Sequence, residues 1–315
     1  MNRRGFRIIL VLSLAAAAVG LCISLTSSHK EEAVLPDGRV QLRLNEALTN
    51  EISDTSALTG LDTKIQSYMR QWGLHGASLA IMRNDSLVYA KGYGWADEEK
   101  QVKMQPSNIL RVASVSKLLT AAGIMLLQDQ GKLNIKDTVF GPRGILTDTT
   151  YTSVMKDPNY KKITVEDLLR HKGGFTSYGG DPMFSTRTIM QTNHLDTPPD
   201  NIQLMKIMLR RRLRFVPGTS QYYSNFGYLL LSKVIEEVSG QPYEEFMQKN
   251  VLKPAGCYDM HIAENYYEDK RKNEVRYYNG ADTCLVDEFN NSGNMVERCY
   301  GGSDIHSLSG AGAWV

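Results

Sequence analysis

Apolar residues recur at helical spacing in several stretches of the chain. Leu61, Ile65, Tyr68, Met69 and Trp72 predict an amphipathic helix. Val115, Leu118, Leu119, Ala122, Met125 and Leu126 predict a second, closed by Gly131 as a left-handed C-terminal cap. Tyr228, Leu231, Val234, Ile235 and Val238 predict a third, stopped at Ser239-Gly240. Pro242 opens the next one, at the position where a proline is tolerated. Thr164-Val165-Glu166-Asp167 reads as the capped start of a short helix that ends at Gly173-Gly174. Elsewhere the pattern is strand-like. Ala77 to Met82 and Leu87 to Tyr93 are joined by Arg83-Asn84-Asp85-Ser86, a hairpin signal. Helices and hairpin strands mix without a regular βαβ alternation. The expected class is therefore α+β.

The first residues follow another pattern. Arg3, Arg4 and Arg7 precede an apolar run from Ile8 to Leu25. A basic segment followed by an apolar one is a secretory signature, and this run is long enough to stay as a membrane anchor. Val19-Gly20-Leu21-Cys22 imitates a lipoprotein box, with bulky Leu21 where a small residue is wanted. Residues 1–28 are expected to be a signal peptide or membrane anchor, 29–58 a polar spacer and 59–315 one domain. The body would then occupy the periplasm or cell envelope, an oxidising compartment. Cys284 and Cys299 flank a turn-rich loop, and a bridge between them would close it for about 3 kcal/mol.

Composition narrows the choice. A net charge of +2 over 315 residues argues against a binder driven by nucleic-acid phosphates. Lys206, Arg210, Arg211, Arg212 and Arg214 form one local basic run, read as a solvated helix face. No phosphate loop, G-x-S-x-G elbow or H-E-x-x-H is present, and no cysteine pair has metal or redox spacing. No cofactor and no metal are expected.

The chemistry-bearing pattern is Ser114-Val115-Ser116-Lys117 at the head of the second predicted helix. A serine and a lysine three apart share one helix face, and an amine there can take the hydroxyl proton. The spacing alone is weak, since S-x-x-K arises about once by chance in a chain of this length. It also occurs at Ser27–Lys30 and Ser153–Lys156, but only Ser114 opens an apolar helical stripe. Read locally, Ser114 as a helix cap and Lys117 as a solvated charge is an equal alternative.

Further blocks change that balance. Gly76-Ala77-Ser78-Leu79-Ala80-Ile81, Lys91-Gly92-Tyr93-Gly94, Leu168-Leu169-Arg170-His171 and Pro217-Gly218-Thr219 stand in order around Arg111 to Lys117. Tyr223-Ser224-Asn225, Pro254-Ala255-Gly256-Cys257 and Gly310-Ala311-Gly312-Ala313-Trp314 follow. From Gly76 onward the ordered set resembles the serine β-lactamase and penicillin-binding-protein superfamily, on the branch of class C β-lactamases, D-alanyl-D-alanine carboxypeptidases and esterases. The resemblance implies a β-lactamase-like fold, an antiparallel sheet flanked by helices with a helical subdomain. It implies Ser114 as nucleophile, Lys117 and Tyr223 as the proton-transfer pair, and Asn225 as a hydrogen-bond partner of the substrate amide. The backbone N–H of Ser114 would supply half of an oxyanion hole. Tyr277-Tyr278-Asn279 and Ser292-Gly293-Asn294 imitate the Tyr223 motif but lack its Pro-Gly turn and following helix.

One departure stands out. The superfamily's third motif, K-T-G or H-x-G, does not appear after the Tyr223 block. His171-Lys172-Gly173 matches by letters yet precedes that block, and reads as a decoy. The small-residue segment ending in Trp314-Val315 reads as the lead-in to a further buried element. The expectation is an incomplete version of a longer protein, with an incomplete sheet, an exposed apolar face, poor stability and no activity. The function expected of the whole is an exported serine hydrolase acting through an acyl-enzyme on a D-alanyl peptide, a β-lactam or a small ester. The alternatives are a non-hydrolytic penicillin- or peptide-binding sensor, or an inactive form. The partner expected is a small molecule or a peptidoglycan peptide.

Overall fold

The computed structural model describes residues 48–53, 58–84, 86–175, 180–279 and 284–315. The expected signal or anchor, Cys22, the Ser27–Lys30 pair and most of the spacer lie outside the described residues. Among the described residues no helix is long and apolar enough to cross a membrane.

Helix α1 (Thr59–Trp72) ends at Gly73, whose left-handed backbone (φ 61°) caps the carbonyls of Met69 and Arg70. It buries Met69 and leaves Tyr68 and Trp72 exposed, so only part of the predicted stripe is covered. Strands β1 (Gly76–Arg83), β2 (Ser86–Asp97) and β3 (Val102–Lys103) form an antiparallel sheet in that order. Strand β1 lies at its edge, with Ile81 and Met82 exposed. The other edge of the hairpin is closed by a 3₁₀ turn, Asn50–Ser53, within the expected spacer. The Ser53 hydroxyl donates to the Ala90 carbonyl (2.7 Å) and accepts its N–H (3.0 Å), and Gly92 donates to Asn50 Oδ1 (2.8 Å). These side chains satisfy strand groups that would otherwise be left unpaired.

Helix α2 (Ser116–Asp129) sits where the pattern predicts it but is rotated, so that of the predicted stripe only Leu119 and Leu126 pack against the core. Its buried side carries Ser116, Lys117, Thr120, Gly123, Ile124 and Leu127. Val115, Leu118 and Met125 of the predicted stripe are exposed. The polar side goes inward because each hydroxyl and the ammonium find oxygen or nitrogen partners there (below). At Gly123 a Cβ would stand 2.7 Å from the Met247 sulfur, so the glycine lets a neighbouring helix approach.

A short helix α3 (Thr149–Thr152) precedes α4 (Val165–Leu169). The capping box at α4 forms as predicted, with Thr164 and Asp167 bonding each other's backbone N–H at 3.1 Å. Helices α5 (Thr186–Asn193) and α6 (Asn201–Leu209) follow. Helix α7 (Asn225–Ser239) is buried on most sides and stops at Gly240, left-handed with φ 67°. Helix α8 (Tyr243–Met247) starts after Pro242. A second, two-stranded antiparallel sheet joins β4 (Val286–Asp287) to β5 (Met295–Val296). Helices and small antiparallel sheets together make an α+β molecule.

The core lies among α2, α4, α6, α7 and α8, around Phe140, Tyr160, Phe226, Leu230, Phe246 and Trp314. Each such side chain contributes roughly 1.5–3 kcal/mol on burial. Residues 308–315 run through this core. Ala311, Ala313, Trp314 and Val315 are buried, and Trp314 forms an isolated antiparallel bridge with Ile262. Close approach requires the glycine at 310: a Cβ there would meet the Tyr228 carbonyl oxygen at 2.4 Å.

Candidate active site

Ser114 lies in a 3₁₀ turn, Ala113–Val115, that feeds α2. The preceding Ala113 has φ 47°, a left-handed conformation that costs a non-glycine residue roughly 1 kcal/mol. The side chain of Ser114 emerges exposed at this turn, two residues ahead of the helix.

Lys117 is in the first turn of α2 and is buried. Its Nζ donates to Ser114 Oγ (3.2 Å), Asn225 Oδ1 (2.7 Å) and the Ala311 carbonyl (2.5 Å). Those contacts use all three N–H groups of an ammonium. Tyr223 Oη donates to Ser114 Oγ at 2.8 Å, and Lys117 Nζ lies 4.8 Å from the centre of the Tyr223 ring. Ser114 Oγ thus has a phenol oxygen and an amine nitrogen within reach.

The Tyr223-Ser224-Asn225 tripeptide divides three tasks. Ser224 is extended (φ −141°, ψ 115°), and its side chain caps α7 by accepting the Gly227 N–H at 3.1 Å. Tyr223, before the cap, is half-exposed beside Ser114, and Asn225, after it, is buried against Lys117. The floor beneath is the 310–315 segment. Thr120 Oγ1 donates to the Gly310 carbonyl (2.7 Å), Trp314 N–H donates to Ser116 Oγ (3.2 Å), and Val112 N–H donates to the Trp314 carbonyl (3.0 Å).

Sequence reasoning missed three contributors. The Ala311 carbonyl gives no side-chain signal, although the small-residue run around it does. His171, a decoy by its letters, has its ring centre 4.4 Å from that of Tyr223, and its Nδ1 accepts the Ser224 N–H at 3.3 Å. It stands on the loop after α4 and not on a strand, as its position in the chain implies. Burial, and then the positive charge of Lys117, hold the His171 imidazole below its ordinary range and so neutral. Asp181 Oδ2 accepts from Asn225 Nδ2 at 2.8 Å. Only its place as a cap before Pro182 marks it in the sequence. Arg214, from the basic run, lies 4.5 Å from the Tyr222 ring.

The decoys have other work. Ser153 follows α3, and Lys156 donates its backbone N–H to Leu209; neither joins the cluster around Ser114. Tyr277 donates its hydroxyl to Glu274 and accepts the Arg111 N–H, a buried scaffold contact. Among the described residues no group of three or more His, Cys, Asp or Glu side chains is placed to hold a metal ion. What the site offers is a serine hydroxyl with two groups able to receive or relay its proton.

Residues 61–314 match the family model described as Beta-lactamase. PbpX of Bacillus subtilis (strain 168), assigned as a penicillin-binding protein, is 31% identical over 193 residues, 61% of this chain and 42% of that protein. The protein flp of Staphylococcus aureus (strain COL) is 26% identical over 210 residues, 67% of this chain and 39% of that protein. The chain therefore spans about two fifths of the length of these curated relatives. Among solved structures, the octameric penicillin-binding protein homologue from Pyrococcus abyssi superposes with a TM-score of 0.51 at 26% identity, over 80% of this chain and 55% of the other.

Proposed function

The chain belongs to the beta-lactamase family, and from that premise we propose that it is an exported serine hydrolase that forms an acyl-enzyme on Ser114. The observation that carries the reading is the position of Ser114 Oγ, 2.8 Å from Tyr223 Oη and 3.2 Å from Lys117 Nζ. In the proposed step Oγ attacks the acyl carbon of an amide or ester. For this step one of the pair must be in its basic form, Lys117 as a neutral amine or Tyr223 as a phenolate; it takes the Oγ proton, and the pair returns that proton to the leaving group as the bond between it and the acyl carbon breaks. Asn225 holds Lys117 and keeps a second Nδ2–H for the substrate amide. The Ser114 N–H, near the start of α2, favours the developing oxyanion. The substrate classes proposed are a D-alanyl peptide, a β-lactam or a small ester, and the place of action is the cell envelope. The basic and apolar pattern of residues 1–28 supports export.

The test is covalent labelling with a fluorophosphonate and with a fluorescent penicillin. The wild type should label, and Ser114→Ala should not, while its far-ultraviolet circular dichroism stays the same. A mutant that still labels removes Ser114 as nucleophile. A label that forms and never turns over on any ester or amide marks a binding or sensing role in place of hydrolysis.

A further inference from the structure

The polar contacts around Ser114 continue one residue past the family's motif. A side-chain amide has one acceptor oxygen and a donor nitrogen with two hydrogens. With all three of its contacts on oxygen, Lys117 faces them as a donor, so the Asn225 oxygen is the atom set against Nζ at 2.7 Å. The Asn225 nitrogen then faces Asp181 Oδ2 at 2.8 Å. The opposite rotamer would set oxygen against a carboxylate and N–H against an ammonium, two repulsive contacts in a largely buried place. The amide therefore has one permitted orientation, and Asp181 excludes the other.

Asp181 is itself held in place. Its Oδ1 accepts the Met183 N–H at 2.9 Å, capping the 3₁₀ turn Pro182–Phe184. Its carbonyl accepts the Phe184 N–H (3.0 Å) and the Ser185 hydroxyl (2.7 Å). Pro182 and Met183 are buried beneath it. The carboxylate is thus anchored at its backbone and at one oxygen, with the other aimed at Asn225.

From these contacts we infer that Asp181 is a positioning residue for the reaction: it locks the Asn225 amide so that Lys117 is presented to Ser114. The chain of contacts runs Asp181 Oδ2, Asn225 Nδ2, Asn225 Oδ1, Lys117 Nζ, Ser114 Oγ. The inference rests on the hydrolase reading, and it names a residue that acts through another without touching the reacting atoms.

The test compares the saturating fluorophosphonate labelling rate of Ser114 in the wild type, Asp181→Ala, Asp181→Asn, Asn225→Ala and the Asp181→Ala/Asn225→Ala pair. Hydrogen bonds to charged groups set the scale, so Asp181→Ala should slow labelling about 10- to 100-fold. The probe concentration at half-saturation should stay the same. Asp181→Asn, which keeps an acceptor oxygen, should recover to within a few-fold of wild type. In the Asn225→Ala background Asp181→Ala should cause no further loss. A wild-type rate in Asp181→Ala, or losses that multiply in the double variant, overturns the inference. If the wild type itself does not label, the hydrolase reading fails, and the orientation is read from the spectrum. The ¹H–¹⁵N signals of the Asn225 amide, identified by their loss in Asn225→Ala, should move in Asp181→Ala and remain near their wild-type place in Asp181→Asn. Unmoved signals in Asp181→Ala overturn the inference independently of activity.

Discussion

Ser114 Oγ is shared by two groups that are themselves coupled. Tyr223 and Lys117 both reach it, and the lysine lies against the tyrosine ring. Groups that act as one proton-transfer unit lose their effect together. Lys117→Ala and Tyr223→Phe should each lower the acylation rate by about 10²-fold or more, the range of general acid–base contributions. The double variant should be no more than a few-fold below the poorer single. Stopped-flow rates with an activated ester measure this, and effects that multiply would assign the two side chains to separate steps. Ser114, Lys117, Tyr223 and Asn225 were legible because each sits in a short motif whose neighbours form a helix start or cap. His171, Asp181 and the Ala311 carbonyl were not, because their contributions depend on how distant loops return to α2. A carbonyl oxygen and a capping aspartate look the same in sequence wherever they lie.

Among the elements, α2 and the 310–315 segment form one unit. The helix turns its polar side inward because that segment supplies backbone oxygens to Lys117 and Thr120 and a backbone N–H to Ser116. Periodicity found the helix but gave no means of choosing its face, since the inward partners lie nearly two hundred residues away. The hairpin, the α4 capping box and the end of α7 at Gly240 were readable because hairpin, cap and stop signals are local. Gly310→Ala should destabilise the protein by roughly 1–3 kcal/mol, since the added methyl must displace a backbone carbonyl. Gly312→Ala should be tolerated, because its Cβ would stand 3.7 Å from the Ala113 carbonyl carbon. Urea denaturation of the two variants makes the comparison, and equal midpoints would mean that the segment yields freely.

At the scale of the whole molecule, buried histidines tie stability to pH. His261 is fully enclosed, its Nε2 has no hydrogen-bond partner among the described residues, and burial pushes it down to about 4. His171 is depressed in the same direction. Below about pH 6.5 the unfolded chain takes up a proton that the folded chain refuses, so stability falls with acidification until about pH 4, where the folded imidazole also protonates. Between pH 7 and pH 5 the His261 contribution should be about 2 kcal/mol. Urea unfolding at the two values should show that loss in the wild type and a smaller one in His261→Asn; equal losses would move the effect elsewhere. The molecule also carries three tryptophans in three different surroundings. Trp72 is 62% exposed, Trp95 lies beneath the Lys103 ammonium at 3.2 Å, and Trp314 is fully buried with its indole N–H on Tyr243 at 3.1 Å. Ultraviolet emission from Trp314 therefore comes from an apolar site that water-soluble quenchers do not reach. That indole belongs to the strip holding Lys117 and Ser116, so the protein contains an optical probe of the floor beneath its serine, readable without any added dye.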